Sequence, residues 1–336
     1  MILKLILITA LYQSIEIEKV ANMSPYEGVG FFEFFGIFIS RVFSWELWSS
    51  IYIDEVQVLV FLGLAISGAF IGSFLVLKNM AMFGNALSHT IIFGLVCAFL
   101  FSRTLSLSIA TLSFAALLTA LLTGLLVRVM KDVFSVSEDS GVAFTFSLLF
   151  SCGLILLVFL TKNAHIGTEL VMGSADALSL DDINLAYYVA TTNALLTMVF
   201  FRGLKVLSFD LLFGITIGFP TKFLNHLITI QIAMTLVAAF KAVGVLMALA
   251  FLIFPGLIAK ILAKSLLGML SWSVVFSSLV AILSPAISRS ILTCWGLGFS
   301  TAGISVLLFV LFYFSIAGSK RMYFFARSKH LFRALG

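Results

Sequence analysis

The sequence predicts an all-α polytopic membrane protein with about nine transmembrane helices, eight to ten fitting the pattern. Three observations carry this reading. The 336 residues are 62% hydrophobic and 10% charged, whereas a soluble domain is about 25% charged and about 45–50% apolar. Apolar runs of about 20 residues, enough at about 1.5 Å per residue to cross about 30 Å of hydrocarbon, recur along the chain. The remaining charges fall mainly between those runs.

Taken in order, residues 1–55 form an N-terminal extension. It holds seven acids, Glu16, Glu18, Glu27, Glu33, Glu46, Asp54 and Glu55, against Lys4, Lys19 and Arg41. Ile2–Leu11 is a short apolar run without a clean small-residue cleavage site after it. Phe31–Trp48 is aromatic-rich and broken by Glu33, Arg41 and Glu46, so it reads as an interfacial helix or one extra span. The transmembrane body, 56–317, carries spans near 56–77, 84–101, 105–127, 141–161, 183–201, 227–240, 242–259, 266–287 and 297–317. The run 227–240 is short and abuts the next, so the two form either a tight hairpin or one broken helix. Pro255 removes an internal hydrogen bond from its span and is expected to kink it. Residues 318–336 form a basic tail.

Lysine and arginine set the orientation. With the C-terminus inside, the cytoplasmic loops hold Lys78, Arg128, Lys131, Arg202, Lys205, Lys222, Lys260, Lys264, Lys320, Arg321, Arg327, Lys329 and Arg333; the outer loops hold Arg103, Lys162, Lys241 and Arg289. Thirteen against four decides it. Loop 162–182, with Glu169, Asp176, Asp181 and Asp182, then lies outside, and 202–226 is the longest cytoplasmic loop.

The net charge of +5 is scattered over short loops and is no nucleic-acid footprint. There is no GxxxxGK[ST] phosphate loop and no HExxH pair. The spans lack the paired acids of a proton-coupled pump or membrane enzyme. Cys97, Cys152 and Cys294 lack zinc spacing and lie in apolar surroundings, so they read as small core residues.

Two stretches carry chemistry. Gly84-Asn85-Ala86-Leu87-Ser88-His89 opens a span, and a helix puts Asn85 and His89 on one face. On the residues alone two readings stand: a substrate path, or a polar clasp that satisfies a helix start. One imidazole and one amide fall short of the three or more ligands a resident metal wants. Met80 and Met82, just before, read as packing. In 202–226, Phe209 and Leu211-Leu212-Phe213 could fill a groove on a soluble partner, Asp210 could cap a short helix, and Gly214 and Gly218 would permit a turn. An ordinary interfacial loop is the other reading. The spacing Gly68-xxx-Gly72 lets another helix approach closely.

Three ordered stretches resemble the manganese/zinc/iron (ABC-3 type) permease family of ABC importers: Ser67 through Gly-Asn-Ala-Leu-Ser-His89, Leu207-Ser-Phe-Asp210 with Gly214 and Gly218 downstream, and Ala242-Val-Gly through Pro255 to Ala259. They span about 57–317. Where the family has Asp, this chain has Asn85, and Gly214 stands where Ala is usual. The resemblance implies the vitamin B12/metal-chelate type of importer fold in a bacterial cytoplasmic membrane. It implies a permease subunit that is not itself an enzyme, with no permanent cofactor, passing a divalent manganese, zinc or iron ion. It further implies a cytoplasmic ATPase subunit, an extracytoplasmic metal-binding protein and a second permease subunit as partners. Asn85 and His89 would line the substrate pathway, His89 as a transient metal ligand, and Ser208, Phe209, Asp210, Gly214 and Gly218 would couple to the ATPase. The alternatives are a secondary ion-coupled transporter, an intramembrane enzyme or a structural membrane protein.

Overall fold

A helix that is apolar on every side is a helix surrounded by others. Residues from Val56 to Val76 have that character, and in the computed structural model they form the hub of the chain. The structure describes residues 24–44, 51–102, 109–161, 175 and 178–334. The N-terminal apolar run, Glu169, Asp176, Arg103 and Lys162 lie outside the described residues.

Twelve helices are present among the described residues: α1 (Phe31–Phe43), α2 (Ile53–Leu77), α3 (Ala81–Ser102), α4 (Ile109–Asp132), α5 (Glu138–Thr161), α6 (Leu180–Val199), α7 (Phe201–Phe209), α8 (Leu211–Thr216), α9 (Thr221–Val243), α10 (Val245–Leu262), α11 (Leu266–Trp295) and α12 (Thr301–Ala334). Seven are long and apolar enough to cross a membrane alone, and α6 with α7, bent by 77°, passes as an eighth. Helix α4, with 24 residues, sits between α3, α5 and α9.

Cross-helix contacts fix the directions. Gly63 and Ser67 of α2 meet Ala186 and Asn193 of α6, so these two run parallel. Ser67 and Lys78 meet Thr235 and Asn225 of α9, which runs the other way. Gly68 and Gly72 meet Phe251 and Leu252 of α10, and Val76 meets Gly256, again parallel. Ala65 and Ser73 meet Ser277 and Ser273 of α11, which is antiparallel. Helix α12 runs with α10, Phe309 against Phe251 and Phe254 and Lys320 against Ile261. On the other flank, Thr90 and Gly94 of α3 meet Thr123 and Thr119 of α4, while His89 and Phe93 meet Phe150 and Gly153 of α5. The long helices therefore alternate in direction, and the lysines and arginines assigned to one side gather at one end, the basic end.

The run expected at 227–240 is corrected. It is a 23-residue helix, Thr221–Val243, whose polar start, Thr221-Lys-Phe-Leu-Asn-His226, hid its true length. The contacts with α2 make α9 and α10 antiparallel, so the junction at Gly244 (φ +82°) is a tight hairpin. Helix α10 is continuous through Pro255.

The close approach expected of Gly68 and Gly72 is present. A Cβ on Gly72 would lie 1.7 Å from the Leu252 carbonyl oxygen, and one on Gly256 would lie 2.9 Å from the Gly72 oxygen. Between helices in lipid, such packing does what water exclusion does in a soluble core.

Helix α1 has 13 residues, about 20 Å, too short for about 30 Å of hydrocarbon. It is anchored at the end opposite the basic one. Phe34 packs with Tyr26, Val58 and Ala286. The fully buried Glu55 carboxylate accepts from the Tyr26 hydroxyl (3.0 Å), Arg41 Nε (2.5 Å) and the Tyr52 amide (3.0 Å). Burial beside this carboxylate pushes the Tyr26 phenol above its ordinary range, so it stays a donor. Arg289 of α11 donates to the Tyr26 carbonyl (3.1 Å) and lies 3.4 Å from Asp54.

Candidate functional site

Helix α3 separates its residues into two classes. Phe83, Gly84, Ala86, Leu87, Ser88, Thr90, Ile91, Ile92, Gly94 and Val96 are buried against α2, α4, α5 and α10. Met82, Asn85, His89, Phe93, Cys97 and Leu100, spaced three or four apart, form a stripe that the chain leaves half-covered or open. Asn85 and His89 are the amide and imidazole of that stripe, in its first two turns. Gly84 is level with Leu75 near the end of α2, so both residues lie in the half of the bundle nearer its basic end.

The cluster divides along this line. Ser88 is fully buried, and its hydroxyl donates to the Gly84 carbonyl at 2.9 Å. It is the clasp. Asn85 makes no side-chain hydrogen bond among the described residues. The His89 ring lies against Phe146 and Phe150 of α5, centroids 5.3 and 5.5 Å away, and its Nδ1 is buried without a hydrogen-bond partner. Phe146 and Phe150 stack on each other, one turn apart. They fix the ring's plane and exclude water from one nitrogen, an arrangement that leaves a lone pair or an N–H uncommitted. No group of three His, Cys, Asp or Glu able to hold a metal exists among the described residues.

Two sequence expectations change here. Met82 is 64% exposed and lies on the open stripe, so it is not packing; Met80 does pack against the core. Cys97 is half-buried and Cys152 and Cys294 are exposed, so none is a core residue. Apolar neighbours misled in each case, because a lipid-facing position is as apolar as a buried one. The Phe146–Phe150 pair went unread: its spacing is visible in the sequence, but nothing there ties it to α3.

The segment 201–218 folds as two short helices at the basic end. Asp210 caps α8, its Oδ1 accepting from the Phe213 amide at 3.0 Å. Phe209, Leu212 and Phe213 are 64%, 74% and 54% exposed. Gly218 has φ +82° and ends the segment in a conformation other residues resist. Ser208 turns its hydroxyl inward, donating to the Leu204 carbonyl at 2.7 Å. Gly214 is corrected from a turn residue to a packing one: it lies buried within α8, where a Cβ would come 3.3 Å from Val206 and Thr221. The segment thus brings Phe209, Asp210 and Gly218 to the surface, leaves Gly214 packing α8 against α7 and α9, and ties the Ser208 hydroxyl back into α7 itself. It lies on different helices from Asn85 and His89, joined to them through α9.

The sequence profile of the ABC 3 transport family matches residues 52–318. A "Probable metal transport system membrane protein" of Chlamydia pneumoniae is 53% identical over 292 residues, 86% of this chain and 90% of that protein. The manganese transport system membrane protein MntD of Bacillus subtilis is 31% identical over 231 residues, 65% of this chain and 77% of that one. The fold is shared with PsaBC from Streptococcus pneumoniae, solved in complex with Fab, at TM-score 0.69 and 22% identity, over 81% of this chain and 93% of that one. The chain is a multi-pass membrane protein and belongs to the ABC 3 transport family.

Proposed function

We propose that this chain is the permease subunit of an ATP-driven importer for a divalent transition metal, manganese, zinc or iron, with ATP hydrolysed on a separate cytoplasmic chain. One observation carries the reading: a polar pair, Asn85 and His89, on a face of α3 that the described helices cover only in part, α5 lying against one side of the His89 ring. Imidazole is a borderline ligand that suits these ions. One His per chain is a thin site, but a second permease subunit facing the stripe would double the ligand count. Neutral Asn85 offers an oxygen without the charge that would hold a dication in low dielectric, which favours release over retention. The basic end faces the cytoplasm by the distribution of lysine and arginine, so the ion meets His89 in the inner half of its path.

The exposed α7–α8 segment is the surface for the ATPase, with Phe209, Leu212 and Phe213 as apolar anchors. Gly218→Leu forces a side chain into left-handed backbone at about 1–2 kcal/mol and should abolish stimulation of the ATPase by loaded binding protein. Asp210→Asn keeps a capping oxygen and should lower it by less than half. Equal stimulation in both variants and the parent would reject this surface. The function itself is tested by uptake into vesicles carrying this chain, its ATPase and its binding protein, with the three metals in competition. Uptake by the chain alone in ATP-free liposomes would reject an ATP-driven importer in favour of a secondary transporter.

A further inference from the structure

Every one of the fifteen carboxylates of the chain lies between Glu16 and Asp210; residues 211–336 contain none, against ten lysines and arginines. The structure concentrates part of this excess. Lys260 ends α10, Lys264 sits in the short link to α11, and Lys320 and Arg321 lie where α12 passes the same level; all four are exposed. Lys320 Nζ donates to the Ile261 carbonyl, which fixes α12 beside the end of α10. Helix α12 then continues to Ala334, so its last thirteen residues, about 20 Å, extend past this level. That extension adds Arg327, Lys329 and Arg333. The carboxylates of the basic end, Asp132, Glu138, Asp139 and Asp210, belong to α4, α5 and the start of α8, whereas α12 packs on α10 and α11.

The surroundings say what kind of partner meets these cations. Directly above them, toward the middle of the bundle, α11 and α12 expose Trp272, Leu279, Leu307, Leu311 and Phe314. A face so apolar at membrane depth meets acyl chains. Cations that terminate it stand at headgroup depth, and an exposed tryptophan one to two turns inside the boundary is the usual mark of that interface. The apolar anchors of α7–α8 belong to a different sector, packed on α9, so a soluble partner held there need not cover the patch.

We propose that Lys260, Lys264, Lys320 and Arg321 form a binding surface for the phosphate headgroups of anionic phospholipids, holding a ring of such lipids at the α10–α11–α12 corner. Juxtamembrane cations attract anionic headgroups at about fivefold in binding constant per charge. Without a carboxylate in residues 211–336 to neutralise them, these cations keep that attraction.

Trp272 is a built-in reporter, because Trp45, Trp48 and Trp295 can be replaced by Phe. The assembled transporter, with the tryptophans of its other subunits also replaced by Phe, is placed in phosphatidylcholine vesicles containing either brominated phosphatidylglycerol or brominated phosphatidylcholine, and the two quenching curves give a relative binding constant. The expected preference for phosphatidylglycerol is at least about fivefold, weakened by salt. Replacing the four cations with Gln should bring it to about one, replacing Lys260 and Lys264 alone should remove part of it, and Lys→Arg changes should keep it. A relative constant of one in the parent, or an undiminished preference in the Lys260→Gln/Lys264→Gln variant, overturns the proposal. So does loss of the ATPase subunit from the four-Gln variant with lipid preference intact, which would make the patch a protein contact. None of these readouts depends on metal transport.

Discussion

Of the polar clusters among the described spans, the chain treats two in opposite ways. In the α2–α6–α9 interior, Asn193 Nδ2 donates to Ser67 and Thr235, each at 2.7 Å; those hydroxyls lie 2.9 Å apart, and Gln231 Nε2 reaches the Asn193 carbonyl at 3.3 Å. All four side chains are at most 3% exposed. On α3, Asn85 and His89 stay half-exposed and make no such cross-helix bonds among the described residues. In a medium without water, polar groups join helices or serve something that passes. The first cluster is glue: its hydroxyls and amide N–H groups bond across three helices, although the Asn193 and Gln231 side-chain oxygens keep no partner among the described residues. The second is left without such bonds.

That contrast can be broken most sharply at His89. His89→Ala should cut metal uptake per folded complex by at least roughly tenfold, the scale on which even a ligand's supporting contacts matter, with the amount of complex almost unchanged. A lower yield with an unchanged rate per detergent-stable complex would place His89 with the glue. Next is Asn85→Asp, which restores the charge the family carries. Metal should be retained about tenfold more tightly, as expected when a carboxylate and a dication meet in low dielectric, and isotope exchange on the assembled transporter should show slower release. Unchanged retention would remove Asn85 from the path.

The interior cluster should answer in stability rather than rate. Asn193→Leu deletes two interhelical hydrogen bonds worth about 0.6 kcal/mol each on average in membrane proteins. The melting temperature of the purified complex should fall by a few degrees while uptake per complex holds. A rate lost without a stability change would mean that this cluster, too, serves transport. Smallest is Ser88→Ala. It removes one hydroxyl that donates within its own helix, at about 0.5 kcal/mol or less, and should leave both readouts near the parent's.

Much of the architecture was legible because lipid imposes a length. About 20 apolar residues make a crossing, and lysine and arginine mark its ends, so each expected span overlaps an observed helix, although α11 and α12 run 8 and 17 residues past their expected ends, 287 and 317. The failure at 227–240 has a cause: Asn225 and His226 lower the hydropathy where α9 nears the basic end, where Asn225 accepts a hydrogen bond from Lys78 of α2. At the candidate site, Asp210 as a cap and Gly218 as a turn followed from residue type alone, since both act through their own backbone. Met82, Gly214 and the cysteines did not, since their roles depend on which helix lies opposite.

The sequence by itself therefore determined that the chain crosses a membrane many times and that Asn85 and His89 share one side of a helix. Only the tertiary structure decided which side that is. In water a buried face is apolar and an open face polar, so periodicity reveals the core; in lipid both faces are apolar, and the signal vanishes. That Gly72 meets Leu252, that Asn193 joins three helices, and that the stripe from Met82 to Leu100 is only partly covered are facts of packing between distant segments.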